Sequence, residues 1–243
     1  LGGNFSDSYL GRTFYDLKFQ MGLREGDVIS FQLPNWYEAL VIDMAASLLG
    51  LVCNPIIPIY REAEVTYILK DAGTRVFFIP TEFRGFDYVS MIEGHRDELS
   101  NLDYIVTVRG TSKGCVDWKD LTNVGDSNSL DKSIVDPNSV KLIMYTSGTT
   151  GQPKGVLHSH NTIDTENQAF SKFLNLGAED VILMPSPLTH ITGYLYGIQL
   201  PIILGVPVVL MEIWNAKIAA ELIELHGVTF TIAATVFLQE LTT

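Results

Sequence analysis

The chain of 243 residues is predicted to adopt an α/β fold made of two doubly wound subdomains, each with a largely parallel sheet. The main observation is that short apolar runs, typical of buried strands, alternate with longer amphipathic segments, typical of helices. Strands that alternate with helices are joined by right-handed crossovers, which make neighbouring strands parallel. A polar, glycine-rich stretch from about 110 to 139 interrupts the alternation and predicts the boundary between the subdomains.

The first subdomain is predicted over residues 1–135. Apolar and polar residues alternate in its first strand, and Asn35 is then expected to cap a helix that ends at Gly50. A second helix shows apolar residues at helical spacing and ends at Gly73. Strands are predicted at 28–33, 76–79 and 104–108, and the second helix at 62–72.

The second subdomain, predicted over 136–243, continues the same alternation and is expected to be incomplete at its C-terminus. Strands are predicted at 140–145, 181–184, 208–211 and 229–232, and helices at 161–174, 193–204, 215–225 and from Thr235. Residues 191–211 carry no charge and are long enough to cross a bilayer. Because Pro201 and Pro207 interrupt them, a helix, a turn and a buried strand are favoured over a membrane span.

Composition excludes several classes of partner. The net charge of −12 argues against nucleic acid, whose binding requires neutralisation of phosphates, and against an anionic membrane surface. Cys53 and Cys115 form no Cys-x-x-Cys pair, so neither a zinc site nor a disulfide framework is indicated, and a cytoplasmic protein is expected. The sequence assigns no oligomeric state.

The most informative segment is 145–156, Tyr-Thr-Ser-Gly-Thr-Thr-Gly-Gln-Pro-Lys-Gly-Val, which follows a buried strand. Glycines at 148, 151 and 155 let backbone N–H groups turn toward one point, while hydroxyl groups and a lysine add further donors. This combination is typical of a loop that holds polyphosphate. The candidate ligands are Thr146, Ser147, Gly148, Thr149, Thr150, Gly151 and Lys154.

Three well-known loop motifs do not match this segment: the P-loop, the dinucleotide-binding loop and the hydrolase nucleophile motif. A P-loop needs Gly-Lys followed by Ser or Thr, whereas Lys154 lies between Pro153 and Gly155. The strand–GxGxxG–helix order of a dinucleotide site is absent, and so is the Gly-x-Ser-x-Gly of a hydrolase. A surface turn without a ligand is the remaining alternative. Lys154 is the only Lys or Arg between Lys141 and Lys172, so Mg²⁺ is expected to neutralise much of the phosphate charge.

At these residues the chain resembles the AMP-forming adenylating superfamily, which includes acyl-CoA synthetases, luciferases and peptide-synthetase adenylation domains. The loop 145–156 is similar to the signature phosphate loop of that family almost residue for residue. Further segments resemble the N-terminal part of its acyl-CoA ligase branch: Arg24-Glu25-Gly26-Asp27-Val28, Leu33-Pro34-Asn35, Gly50 with Asn54-Pro55, and Pro185 to His190.

The resemblance implies an enzyme that uses ATP and Mg²⁺ to convert a carboxylic acid to an acyl-adenylate and then transfers the acyl group to CoA. The loop residues would hold the β- and γ-phosphates. The apolar segment 191–194 would suit a hydrocarbon acid better than an amino acid. The resemblance further implies a short-to-medium-chain or alicyclic carboxylate. Two other classes stay open: a non-catalytic module that binds a nucleotide or an acyl group, and a kinase-like phosphotransferase that forms ADP.

His190 is the candidate catalytic residue. It follows the strand predicted at 181–184, and ligands of open α/β sheets bind beyond the carboxyl ends of such strands. The resemblance assigns it to the wall between the acyl pocket and the nucleotide, and the alternative is a histidine that caps the next helix. His158 and His160 would share one face of an extended segment, where packing, with Asn161 as a helix cap, is favoured over a metal site.

Several segments that complete the family's active site do not occur in this sequence. They are the adenine-binding glycine-rich segment, a magnesium-binding glutamate, the ribose-binding aspartate and the C-terminal domain with its catalytic lysine. The sequence is therefore expected to be part of a longer ligase, or a natural truncation, and not to form acyl-adenylate by itself.

Overall fold

The computed structural model describes residues 7–121, 134–146 and 151–242. The contacts within it divide these residues into two compact units. The large unit holds the described residues of 7–33 and 38–160, and the small unit holds 34–37 and 161–242.

The large unit alternates strands and helices along most of its length. Its first helix is α1 (Asp7–Tyr15), which continues into a π-helical turn (Asp16–Gln20). Its strands are β1 (Val28–Phe31), β2 (Val52–Pro55), β3 (Thr74–Pro80), β4 (Glu82–Phe83), β5 (Phe86–Asp87), β6 (Tyr104–Val108), β7 (Val116–Asp117), β8 (Val140–Thr146) and β9 (Lys154–Ser159). Its further helices are α2 (Tyr37–Leu49), α3 (Glu62–Ala72), α4 (Tyr88–Glu93), a 3₁₀ turn (Arg96–Glu98) and α5 (Trp118–Leu121).

One sheet organises this unit. Within the described residues it has seven strands in the order β7-β6-β3-β1-β2-β8-β9, and only the pair β8–β9 is antiparallel. The prediction of a largely parallel α/β sheet is therefore confirmed. Because β8 is parallel to β2, its last residue, Thr146, lies at the end of the sheet where the carboxyl ends of the other parallel strands also lie.

The helix ends follow the predicted glycines. α2 stops at Leu49 before Gly50, whose φ is 68°, and α3 stops at Ala72 before Gly73, whose φ is 66°. Glycine adopts this left-handed conformation without the steric cost that a β-carbon brings, so it ends a helix readily.

The small unit contains a second parallel sheet. Within the described residues its strands are ordered β11-β10-β12, with β10 in the centre. The strands are β10 (Ile182–Met184), β11 (Val208–Leu210) and β12 (Phe230–Thr231), and the helices are α6 (His160–Leu174), α7 (Ile191–Gly193), α8 (Leu200–Leu204), α9 (Ala216–His226) and α10 (Thr235–Thr242). A π-helical segment (Tyr194–Gln199) joins α7 to α8.

The uncharged segment 191–211 forms the helical run 191–204 and then β11. In the part of the chain that the structure describes, no helix is long and apolar enough to cross a membrane. The predicted order of helix, turn and strand is confirmed, but the strand β11 is half-buried and not buried as expected.

The contacts place the division between the two units after His160, because β8 and β9 belong to the sheet of the large unit. Composition predicts a boundary between 135 and 136 instead. As a division of the protein into domains, 1–135 and 136–243 stays a prediction.

A buried ion pair fixes β8 against α2. The Nζ of Lys141 lies 3.1 Å from Oδ2 of Asp43, and both side chains are almost fully buried, with 4% and 2% of their surface exposed. Lys141 also donates to Oγ of Ser47, one turn along α2. A charge taken out of water costs several kcal/mol unless a partner compensates it, so each residue of the pair requires the other.

Replacing Lys141 by Met is expected to lower the free energy of unfolding by about 3–5 kcal/mol, because the Asp43 carboxylate stays buried without its partner. The double variant Lys141→Met, Asp43→Leu should regain most of this loss. Urea unfolding of each variant measures the effect. The control is Arg75→Met, which breaks more exposed pairs with Asp27 and Asp103 and should cost about 1 kcal/mol or less for each pair. Equal losses for Lys141→Met and Arg75→Met would contradict the prediction.

Candidate functional site

The predicted phosphate loop is the connection of an antiparallel hairpin. Thr146, the last residue of β8, is paired with Lys154, the first residue of β9, and both are exposed. Of the residues between them, Gly151 has a φ of 104°, a conformation that side-chain-bearing residues rarely adopt. Ser147, Gly148, Thr149 and Thr150 lie outside the described residues. Their assignment, like that of Thr146, Gly151 and Lys154, stays a prediction.

The glycine at 155 has a different role from the one expected. It lies within β9, where a β-carbon would come 3.0 Å from Cγ2 of Ile143 and 3.3 Å from Cζ of Tyr145. Its small size therefore lets the Tyr145 ring cross the partner strand at the base of the loop. Gly155 therefore belongs to the extended strand β9 and not to the turn of the loop.

Tyr145 ties the base of the loop to α3. Its hydroxyl donates to Oδ2 of Asp71 at 2.6 Å, and its ring is 8% exposed within the core of the large unit. Burial raises the pKa of Tyr145, and the Asp71 carboxylate raises it further, so the phenol stays protonated. The sequence does not predict this contact, since the two residues are 74 positions apart and no local pattern links them.

The candidate histidine lies at the start of a helix in the small unit. Nδ1 of His190 accepts a long hydrogen bond of 3.4 Å from the backbone N–H of Thr192, so the ring caps α7. The helix-capping alternative is therefore present in the structure. Since Nδ1 accepts, the hydrogen of the neutral ring resides on Nε2. His190 is exposed and its capping bond uses Nδ1, so Nε2 is available to a ligand.

The apolar segment after His190 is used largely for packing. A β-carbon on Gly193 would lie 2.0 Å from the carbonyl oxygen of Pro187, so only glycine permits this close approach. Tyr194 is fully buried. Ile191 and Thr192 remain partly exposed next to His190.

Asn35 does not cap α2 as predicted. Its Nδ2 donates to the carbonyl of Ser186 at 2.8 Å, and its Oδ1 accepts from the N–H of Leu188 at 2.8 Å. α2 begins at Tyr37. The local pattern of a polar residue before an apolar run is the same for a cap and for this contact, so the sequence did not distinguish them.

His158 and His160 do not lie on one face of an extended segment as predicted, because they belong to different elements. β9 ends at Ser159, and His160 is the first residue of α6, so Asn161 lies inside the helix and is not its cap. Nε2 of His160 is buried and has no hydrogen-bond partner among the described residues. Those residues contain no group of three or more His, Cys, Asp or Glu side chains that would hold a metal ion.

The fold and the loop together define a class of protein: an α/β protein in which a parallel strand ends in a Ser/Thr/Gly-rich hairpin loop. A family comparison agrees with this class. Residues 17–243 match the family described as AMP-binding enzyme. The chain therefore belongs to the AMP-binding enzyme family.

Curated relatives of the chain carry names of acyl-CoA ligases. It is 35% identical over 221 residues to a medium-chain fatty-acid–CoA ligase of Escherichia coli (strain K12), covering 90% of this chain and 39% of that protein. It is 29% identical over 216 residues to 4-coumarate–CoA ligase 3 of Arabidopsis thaliana, covering 87% of this chain and 37% of that protein. The chain thus spans somewhat more than a third of the length of these relatives.

Solved structures share the fold. A fatty acyl CoA synthetase of Mycobacterium tuberculosis superposes with a TM-score of 0.83 at 22% identity, over 98% of this chain and 44% of that chain. An O-succinylbenzoate coenzyme A synthetase of Bacillus subtilis, solved in complex with AMP, gives 0.78 at 23% identity, over 98% and 56%.

The surroundings of His160 generate a prediction about pH. Burial lowers the pKa of His160 below 6.5, Lys141 lowers it further, and Asp43 opposes these effects. The unfolded chain therefore binds a proton more readily than the folded one, and stability is lost as the pH falls below about 6.5.

His160→Gln is expected to weaken this loss. The free energy of unfolding in urea, measured at about pH 7.5 and about pH 5.5, should fall less between the two values for the variant than for the wild type. His226→Gln, a histidine at the end of α9, is the control. The same pH dependence for His160→Gln and the wild type would contradict the prediction.

Proposed function

We propose that the chain contributes to an AMP-forming acid–thiol ligase, which activates a carboxylic acid with ATP and transfers the acyl group to CoA. The observation that carries the proposal is the match to the AMP-binding enzyme family over residues 17–243, which includes the hairpin closed by Thr146 and Lys154. The two relatives described above are both named as CoA ligases, which supports the choice of CoA as the acceptor.

In the first step a carboxylate oxygen attacks the α-phosphorus of ATP, and the bond from that phosphorus to the pyrophosphate oxygen breaks. In the second step the sulfur of CoA attacks the acyl carbon, loses its proton, and AMP leaves. The first step gathers negative charge on the phosphate oxygens, so preorganised donors aimed at those oxygens lower its barrier.

The loop would provide these donors. We assign the β- and γ-phosphates to the hydroxyl and backbone N–H groups of 146–151 and to the Nζ of Lys154. Lys154 suits this role because it is exposed at the mouth of the hairpin. Mg²⁺, when bound, neutralises phosphate charge. It fits this donor set, because it typically binds through substrate phosphates with few protein carboxylates.

His190 would contact the reacting carboxylic acid. Its Nδ1 is engaged by the backbone of Thr192, so Nε2–H is the group that would donate to a carboxylate oxygen. Such a contact would orient the acid for attack on the phosphorus, and orientation of this kind accounts for a large part of enzymatic rate enhancement.

The substrate proposed is a short-to-medium-chain or alicyclic acid. Support comes from the medium-chain ligase among the relatives and from the partly exposed Ile191 beside His190. Cytoplasmic localisation is part of the proposal, in keeping with the free cysteines Cys53 and Cys115.

The products of the full-length enzyme test the proposal. Incubation with ATP, Mg²⁺, CoA and a panel of fatty, alicyclic and aromatic acids should yield AMP, pyrophosphate and the acyl-CoA, with amino acids as negative controls. Chromatography of the nucleotides distinguishes AMP from ADP. Formation of ADP, or activity confined to amino acids, would contradict the proposal.

Lys154→Ala tests the phosphate role of the lysine. The variant loses a hydrogen bond to a charged group. The fall in kcat/KM for ATP should correspond to a loss of about 1.5–3 kcal/mol of transition-state stabilisation. Stability should change by only about 0.5 kcal/mol, because the side chain is exposed. The matched control is Lys172→Ala, which removes an equal charge from the exposed surface of α6. An unchanged kcat/KM with a much lower Tm would instead make Lys154 a structural residue.

A further inference from the structure

The loop that carries His190 is held by a side chain from a distant part of the sequence. Asn35 precedes the loop residue Ser186 by 151 positions, yet both belong to the small unit. Its amide donates to Ser186 and accepts from Leu188, and a longer bond of 3.4 Å reaches the carbonyl of Met184 at the end of β10. We propose that Asn35 is a positioning residue for His190, an inference that rests on the function proposed above.

Asparagine is suited to this contact by its chemistry. A primary amide presents a donor and an acceptor side by side, and it therefore pairs with a backbone carbonyl and a backbone N–H as a neighbouring strand would. Asn35 is 7% exposed, so water does not readily replace it. Without the amide, the carbonyl of Ser186 and the N–H of Leu188 lose their partner in a buried setting, which is costly.

The constraint passes from Leu188 to His190 through a short, tightly packed segment. The Leu188 side chain is fully buried. The N–H of His190 donates to the carbonyl of Pro187 at 2.9 Å, and the carbonyl of His190 accepts from Tyr194 at 2.8 Å. The same Pro187 carbonyl is in close contact with Gly193. Fixing Ser186 and Leu188 therefore fixes the backbone from which the imidazole projects.

Within the described ranges, Asn35 makes no other contact that would account for its burial. It does not lie in α2, and among the described residues its amide bonds only to the backbone of Met184, Ser186 and Leu188. Trp36, the next residue, donates from its indole nitrogen to Glu212 in the same unit. The segment 34–37 is thus attached to the small unit through side chains, and Asn35 is the one whose contact leads to His190.

A double-mutant cycle in the full-length enzyme tests the proposal. Asn35→Ala should lower kcat/KM for the carboxylic acid by about 10- to 100-fold, since small displacements of a catalytic group have effects of this size. The KM for ATP should stay within about 2-fold. In a His190→Ala background, Asn35→Ala should reduce the rate by less than about 2-fold, because the group that it positions is already absent.

Two further variants separate positioning from a general loss of structure. Asn167→Ala removes another fully buried asparagine of the small unit, which donates to Ile163 within α6, and it should leave kcat/KM for the acid near that of the wild type. If Asn35→Ala does not yield folded protein, Asn35→Asp takes its place in the cycle. Asp keeps an acceptor for Leu188 and lacks the donor to Ser186.

The outcomes distinguish failure of this inference from failure of the proposed function. Equal losses from the Asn35 variant in both backgrounds, or no loss in either, would overturn the positioning role. His190→Ala with the activity of the wild type would overturn it as well, while leaving the ligase activity in place. A wild-type enzyme that forms no AMP with any acid would contradict the proposed function itself.

Discussion

The position of the predicted phosphate loop depends on the position of β8, and the buried pair of Lys141 and Asp43 ties β8 to α2. A shift of β8 by one residue would turn Lys141 to the other face of the sheet and leave two buried charges without partners. The pair therefore excludes neighbouring registers, whatever its net contribution to stability. With β8 fixed in this register, Thr146 lies at the sheet edge where the other parallel strands end, and the hairpin begins there.

The hairpin differs physically from a P-loop. In a P-loop the strand is followed by a helix, whose N-terminal dipole and free N–H groups attract phosphate. Here the strand β9 follows the loop, in the place where a P-loop has the N-terminus of a helix. A phosphate bound here, as proposed, would rely on backbone N–H groups, hydroxyls, Lys154 and the charge of Mg²⁺. This arrangement suits an acidic protein whose nearest other lysines along the chain are Lys141, which is buried in its pair with Asp43, and Lys172 in α6.

Both candidate loops are braced by side chains from remote parts of the sequence. Asp71 holds Tyr145 at the base of the hairpin, and Asn35 holds the segment that leads to His190. Asp71 holds a side chain of β8 one residue before that strand ends, whereas Asn35 bonds directly to the backbone of the segment after β10. Rigid support of this kind keeps reactive groups in place while the loop surface stays open to ligands.

The sequence by itself determined the family, the largely parallel α/β fold and most element bounds to within one or two residues. It succeeded because hydrophobic periodicity, helix-ending glycines such as Gly50 and Gly73, and the loop motif are local signals. Only the tertiary structure decided that 154–159 forms an antiparallel strand, that Gly155 makes room for Tyr145, and that Asn35 bonds to a loop instead of a helix. These features depend on groups many positions away along the chain, and a side chain's pattern of neighbours in sequence does not specify which distant atom will satisfy its hydrogen bonds.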